Sequence, residues 1–266
     1  MYFNKKNCPS CNNDYDEMVD YCPFCHKRNE SHLDFKKKHP LFFIDTSREL
    51  MLFFLGLIGL SVFALLGSLI FTYFPIEKSL ASLIINVSSY LLFFIVAILI
   101  IYPYLKNLLD YLKKWDTYIF GVIGAGLLIG GSIGINLLMR YLVPGTGESG
   151  NQGALITMVK AYPVVVILVF GIIGPICEEL AYRVGLFTLL RRVHPVLAYT
   201  LTIIIFAFIH FDFMSSNIVN EFANLPGYIW GAVILSALYD YKGITSSITA
   251  HILNNIISFI MILFVA

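Results

Sequence analysis

From about residue 50 onward the chain is written in apolar blocks of membrane-spanning length: about 50–73, 83–105, 117–142, 160–191, 196–214, 223–240 and 245–265. A hydrocarbon core of about 30 Å takes roughly 20 apolar helical residues to cross. Lipid offers no partner to open sheet edges or loose loops, so blocks of this length fold as helices. Composition agrees, with 58% of residues hydrophobic and 13% charged, against about 25% charged in soluble domains. The expected fold is an all-α polytopic membrane protein of about seven transmembrane helices with a small, polar, Cys-rich N-terminal module. The block at 160–191 is too long for one straight span, and Pro163, Gly171, Gly174 and Pro175 favour a kink in it.

The net charge of +1 points to neither a nucleic-acid nor an acidic partner. Its distribution says more. Lys5, Lys6, Lys27, Arg28, Lys36, Lys37, Lys38 and Arg48 all precede Leu50. With the N-terminus inside, the cytoplasmic loops also collect Lys106, Lys113, Lys114, Arg191, Arg192 and Lys242, while the outer loops hold only Lys78, Arg140 and Lys160. The positive-inside rule then predicts a multi-pass protein of the cell membrane with a cytoplasmic N-terminus. The first 40 residues, polar and Cys-rich, lack the form of a cleavable signal peptide. The outer loop "PGTGESGNQGA" at 144–154 reads as a flexible connector, with a gate as the functional alternative.

Four of the five cysteines form two knuckles, "CPSC" and "CPFC". Cys8, Cys11, Cys22 and Cys25 can converge on one ion, and a tetrahedral zinc held by all four thiolates is the natural product, closed and structural. The ten residues between the knuckles suit a short hairpin. A two-disulfide knot is the alternative, disfavoured in a reducing compartment. About 30 residues bury too little to fold without such a staple. The paired knuckles resemble a zinc ribbon, so the expected division is a zinc ribbon at 1–30, a basic juxtamembrane linker at 31–48 and a helical membrane domain at 49–266. The linker either lies on anionic headgroups or only fixes topology.

Charge inside the apolar half is costly, about 2.5–3.5 kcal/mol per group on insertion scales, and marks function. "CEELAYR" sets Glu178, Glu179 and Arg183 in the fourth block, "FAFIHF" sets His210 in the fifth, and "AHILNN" sets His251 and Asn255 in the seventh. Glu179 and Arg183 are four apart, in the favourable acid-before-base order for an ion pair. His251 and Asn255 share one helix face by the same spacing. At 1.5 Å per residue, Glu178 stands roughly 20 Å from the Arg191/Arg192 end, His210 roughly 21 Å along its helix, and His251 and Asn255 roughly 14–20 Å from Lys242. Three helices thus bring an acid, two imidazoles and an amide to one depth. A carboxylate beside an imidazole can deprotonate a water, and neutral donors can stabilise the resulting oxyanion. Cys177 reads as a packed thiol. Tyr182, one turn after Glu178, either bonds it or only packs. Asp212, Glu221 and Asp240 read as wet helix ends.

The order Glu178-Glu179-x-x-x-Arg183, Phe206-x-x-x-His210, His251-x-x-x-Asn255 resembles the CPBP family, which includes the CAAX prenyl endopeptidases and bacteriocin-processing membrane proteins. The resemblance covers about residues 117–265, the expected catalytic core. It implies an intramembrane endopeptidase acting on membrane-associated peptides or protein tails through a glutamate-activated water. Glu178 would be the general base, aided by His210, with His251 and Asn255 as oxyanion hole and Glu179 with Arg183 as structural support. That mechanism takes no metal at the catalytic site, although a zinc site built from Glu178, His210 and His251 stands as an alternative. The competing functions are a non-catalytic immunity or scaffold protein, and a transporter, which the lack of internal repeats disfavours. The expected partners are the bilayer, a membrane-associated substrate and a protein docking on the ribbon.

Overall fold

The computed structural model describes residues 5–16, 19, 21–29, 41, 44–74 and 76–265. The basic linker with Lys36, Lys37 and Lys38 lies outside them. In the N-terminal module, β1 (Lys5–Asn7) pairs antiparallel with β2 (Asp14–Asp16), Lys6 facing Tyr15. A bridge joins Tyr21 to Arg28. The pairing wraps around each knuckle rather than filling the spacer between them. The knuckles repeat one another. Cys8 N–H donates to Asn13 O and Cys22 N–H to Lys27 O, and each knuckle closes on a left-handed residue, Asn12 (φ 55°) and His26 (φ 57°). Asn tolerates that conformation better than most side chains.

Among the described residues eight helices follow: α1 (Thr46–Phe71), α2 (Lys78–Tyr111), α3 (Trp115–Leu142), α4 (Gly150–Ala161), α5 (Pro163–Arg191), α6 (Pro195–Phe208), α7 (Ile218–Lys242) and α8 (Ile244–Val265). Among the described residues six of them, all but α4 and α6, are long and apolar enough to cross a membrane. The fifth apolar block, expected to run to residue 214, is helical only as far as Phe208. Its 14 residues rise about 21 Å, and the chain then turns through Ile209–His210.

Two further expectations change. The loop at 144–154 is no plain connector, because its second half is the start of α4, capped by Ser149 Oγ accepting from Gln152 N–H. The long fourth block breaks at Tyr162, with Pro163 as the first residue of α5. Proline suits that position, where a free N–H would have no helical partner.

α5 is the axis of the bundle. Of its apolar window 56% is buried, against 11–28% for the other spans. Two wide π-turns, Val169–Ile173 and Leu180–Phe187, interrupt it, and every residue of the second is buried. α1 crosses α5 in backbone contact: a Cβ on Gly185 would stand 2.8 Å from Phe53 N and 2.9 Å from Glu49 O. α3 sits on α7 and α8 in the same manner, with Gly121 against Thr249 and Gly124 against Leu238 and Ala250. Small residues let helices approach where lipid supplies no hydrophobic drive.

At the C-terminal end of α5 a polar cluster closes the bundle. Arg191 reaches Asp240 at 3.1 Å and, across to the N-terminal module, Asp16 at 2.8 Å. Arg192 reaches Glu49 at 2.7 Å. Tyr199 Oη donates to Asp240. Asp240 is therefore not a wet helix end but a buried member of this cluster.

Candidate active site

The residues predicted to meet do meet. Glu178 Oε2 lies 4.0 Å from His210 Nε2 and 3.8 Å from His251 Nε2. The three side chains are 15%, 18% and 9% exposed. These separations are too long for direct hydrogen bonds. They suit a bridging water.

Each imidazole is oriented from behind. His210 Nδ1 is 2.8 Å from Phe206 O. A carbonyl only accepts, so Nδ1 carries the proton, and in the neutral ring Nε2 is the free base. His210 stands just past the end of α6 rather than inside it, stacked at 4.8 Å on the Tyr228 ring. His251 Nδ1 is 3.0 Å from Glu179 Oε1, while Glu179 Oε2 is 3.3 Å from Arg183 Nε. Glu179 and Arg183 are both fully buried, and the guanidinium lies 4.3 Å over the Phe206 ring. The expected ion pair is present, and it also holds the imidazole of α8.

Asn255 is one turn after His251. Its Nδ2 donates to Phe170 O at 3.1 Å. Phe170 belongs to the first π-turn, where the backbone ladder shifts register. One amide hydrogen is used there; an amide nitrogen carries two.

Sequence reasoning missed two residues. Tyr90 on α2 donates its hydroxyl to Glu178 Oε1 at 3.4 Å, and its ring packs edge-on against Phe170. The bond weighed for Tyr182 comes from Tyr90, while Tyr182 packs against Phe53 and Phe206. No known motif surrounds Tyr90; it closes the polar stretch Asn86-Val87-Ser88-Ser89 of α2. Glu221, expected in a wet interface, is 2% exposed. It accepts from Gly150 N–H at 2.7 Å and Asp212 N–H at 3.1 Å, tying α4 to the turn that bears His210.

Glu178, His210, His251 and Asn255 line one cavity of about 1130 Å³. Tyr182, Leu235, Glu148, Asn151 and Asn224 line it as well. Cys177 is buried and bonded toward Tyr90 O, a packed thiol as expected.

Among the described residues, the one set of three or more metal-ligating side chains close enough to share an ion is Cys8, Cys11, Cys22 and Cys25. Their sulfurs lie within 4.8 Å of one another, with Cys8–Cys25 and Cys11–Cys22 at 3.6 Å. Sulfurs about 2.3 Å from a tetrahedral zinc would be about 3.8 Å apart, so the set fits a metal ion. All four are free thiols rather than disulfides.

Residues 160–257 match the family model described as Type II CAAX prenyl endopeptidase Rce1-like. No curated protein and no solved structure matches the chain. The matched segment contains Glu178, Glu179, Arg183, His210, His251 and Asn255, so the motif resemblance and the family match fall on the same residues.

Proposed function

We propose that this chain, a multi-pass membrane protein that is Rce1-like over residues 160–257, is an intramembrane endopeptidase in which Glu178 activates a water. The observation that carries the reading is Glu178 Oε2 poised 4.0 and 3.8 Å from two imidazole nitrogens inside a cavity. A water held by Glu178 and His210 loses its proton to Glu178 as its oxygen attacks the peptide carbonyl. The carbonyl oxygen becomes an oxyanion, and the second Asn255 amide hydrogen and His251 Nε2–H donate to it. His251 in that role needs a proton on Nε2 beside the one Nδ1 shares with Glu179; the flanking carboxylates supply the countercharge. Collapse of the intermediate breaks the C–N bond, and Glu178 returns its proton to the leaving amine. Glu179 and Arg183 orient His251, and Tyr90 orients Glu178.

Substrates are membrane-associated peptides or protein tails that reach the cavity from the bilayer. The proposed division is a ribbon at 1–30, a juxtamembrane segment at 31–48 and the membrane domain at 49–266, with the N-terminus cytoplasmic. Cys8, Cys11, Cys22 and Cys25 would hold one structural Zn²⁺.

The test compares membrane peptides from cells expressing wild type and Glu178→Gln by mass spectrometry. Peptides that persist only in the variant, at equal protein level, support the hydrolase; identical profiles with retained cellular function would make the protein a scaffold. Zinc content near one per chain, lost together with protease resistance of residues 5–29 on chelation, checks the ribbon.

A further inference from the structure

His210 differs from the rest of the site in what holds its backbone. Glu178, His251 and Asn255 sit inside α5 and α8, where the helical ladder fixes them. His210 stands past the end of α6, on a turn, and its own N–H reaches only Ala207 O at 3.3 Å. A turn without a ladder takes its position from bonds to other elements. The tolerance is small. A water bonded at about 2.8 Å to each of two groups spans at most about 5.6 Å. Glu178 and His210 are now 4.0 Å apart. If His210 Nε2 moved about 2 Å further from Glu178, no single water could touch both.

α7 supplies the missing bonds. Glu221 is buried and uses each of its oxygens once. Oε2 accepts from Asp212 N–H at 3.1 Å, two residues after His210, and Oε1 accepts from Gly150 N–H at 2.7 Å, in the first turn of α4. The two elements meet closely there, since a Cβ on Gly150 would stand 2.8 Å from Asp212 Oδ2. About two helical turns along α7 from Glu221, the Tyr228 ring lies 4.8 Å from the His210 imidazole and within 20° of parallel to it. The Tyr228 hydroxyl pairs with Ser149 Oγ at 3.1 Å, beside Gly150. Glu221 and Tyr228 thus each join the His210 turn, α7 and the start of α4. His251 is braced by other means, through Glu179 and Arg183.

We propose that Glu221 and Tyr228 are positioning residues for His210. The carboxylate fixes the place of the turn and the ring fixes the plane of the imidazole, so that Nε2 keeps facing Glu178. Their effect on rate rests on the hydrolase reading, whereas the bracing of His210 rests on these contacts alone. Position 221 needs two acceptor oxygens. Gln has one, and its amide nitrogen would face the second backbone N–H donor to donor, so Glu221→Gln releases the turn or α4. Tyr228→Leu removes the ring, while Tyr228→Phe keeps the ring and loses only the bond to Ser149.

The experiment treats full-length protein in nanodiscs with diethyl pyrocarbonate, which carbethoxylates a neutral imidazole nitrogen. Mass spectrometry of proteolytic peptides follows His210 and His251 separately. In Glu221→Gln and Tyr228→Leu the His210 imidazole leaves its stack, and its labelling should rise about threefold or more. In Tyr228→Phe it should stay within about twofold of wild type, because the ring remains. His251 should stay within about twofold in every variant, which separates a local release from a general loosening of the bundle. Hydrolysis is then measured on a peptide that accumulates in Glu178→Gln membranes. Glu221→Gln and Tyr228→Leu should lower kcat about tenfold or more with KM within about threefold, the signature of a misplaced group rather than lost binding. Should Glu221→Gln fail to fold, Tyr228→Leu against Tyr228→Phe decides alone. His210 labelling that is absent or unmoved by Tyr228→Leu, a rise shared by His251, equal effects of Tyr228→Phe and Tyr228→Leu, or an unchanged kcat in a wild type that cleaves would overturn the proposal. Selective release of His210 in a protein with no Glu178-dependent cleavage would leave the bracing standing and remove the hydrolase reading instead.

Discussion

α5 carries two polar clusters, and they are built to different standards. At its C-terminal end Arg191 and Arg192 meet Asp16, Asp240 and Glu49 at 2.7–3.1 Å, and no partner except Arg192 is more than 4% exposed. Midway along, Glu178 faces two imidazoles at 3.8 and 4.0 Å, and all three open onto a cavity. The first cluster has closed on itself at contact distance. The second is held open, each imidazole fastened from behind through Nδ1 while its reactive face is left short of a partner. The helix thus separates charge that assembles the protein from charge that is available for chemistry.

Substitutions can break or sharpen that contrast. The largest effect expected is that of Glu178→Gln, a loss of about 10²–10⁴ in peptide hydrolysis. Stability should change by less than about 1.5 kcal/mol, because the amide keeps an oxygen that can accept from the Tyr90 hydroxyl. A large loss of thermal stability instead would mean that the open cluster is structural after all. Arg191→Met should do the reverse, costing about 3–5 kcal/mol by breaking buried pairs. Thermal unfolding in detergent measures that cost, and protease exposure of residues 5–29 tells whether the N-terminal module lets go with it. Next comes Asn255→Ala, expected to lower kcat about 10²–10³-fold with little change in KM, as for loss of one oxyanion donor. A rise in KM alone would make Asn255 a binding group. The smallest is Tyr90→Phe, which removes one hydroxyl bond to Glu178 worth about 0.5–1.5 kcal/mol. It should cost about tenfold or less in rate and leave the fold unchanged.

The open cluster was legible in the sequence because helices make counting meaningful. Glu179 and Arg183, and His251 and Asn255, are four apart, and the depth from Arg191 or Lys242 is a residue count multiplied by a fixed rise. The closed cluster was not legible. Asp16 and Arg191 are far apart in the chain, one in a polar module and one at a helix end, and no periodicity relates them. Asp240 and Glu221 read as wet because acids at helix ends usually are. Their burial depends on partners from other elements, Arg191 for one and the backbone N–H groups of Gly150 and Asp212 for the other. The end of α6 was misplaced because "HFDF" continues the apolar run past Phe208, while the chain turns there to present His210. Hydrophobicity reports where a segment can be buried; it does not report where the backbone stops being helical. The wide turns of α5 likewise leave no mark in the composition of "VFGII" or "LAYRVGLF".

The crossing of α1 over α5 at Gly185 bears on how relatives of this chain should be compared. With Phe53 N at 2.8 Å and Glu49 O at 2.9 Å from where a β-carbon would stand, even alanine there would lever two main chains apart. An unchanging glycine at that column of an alignment would record a joint between helices. It falls only two positions after Arg183, so a survey of invariant positions would wrongly count it among the residues proposed to perform the reaction.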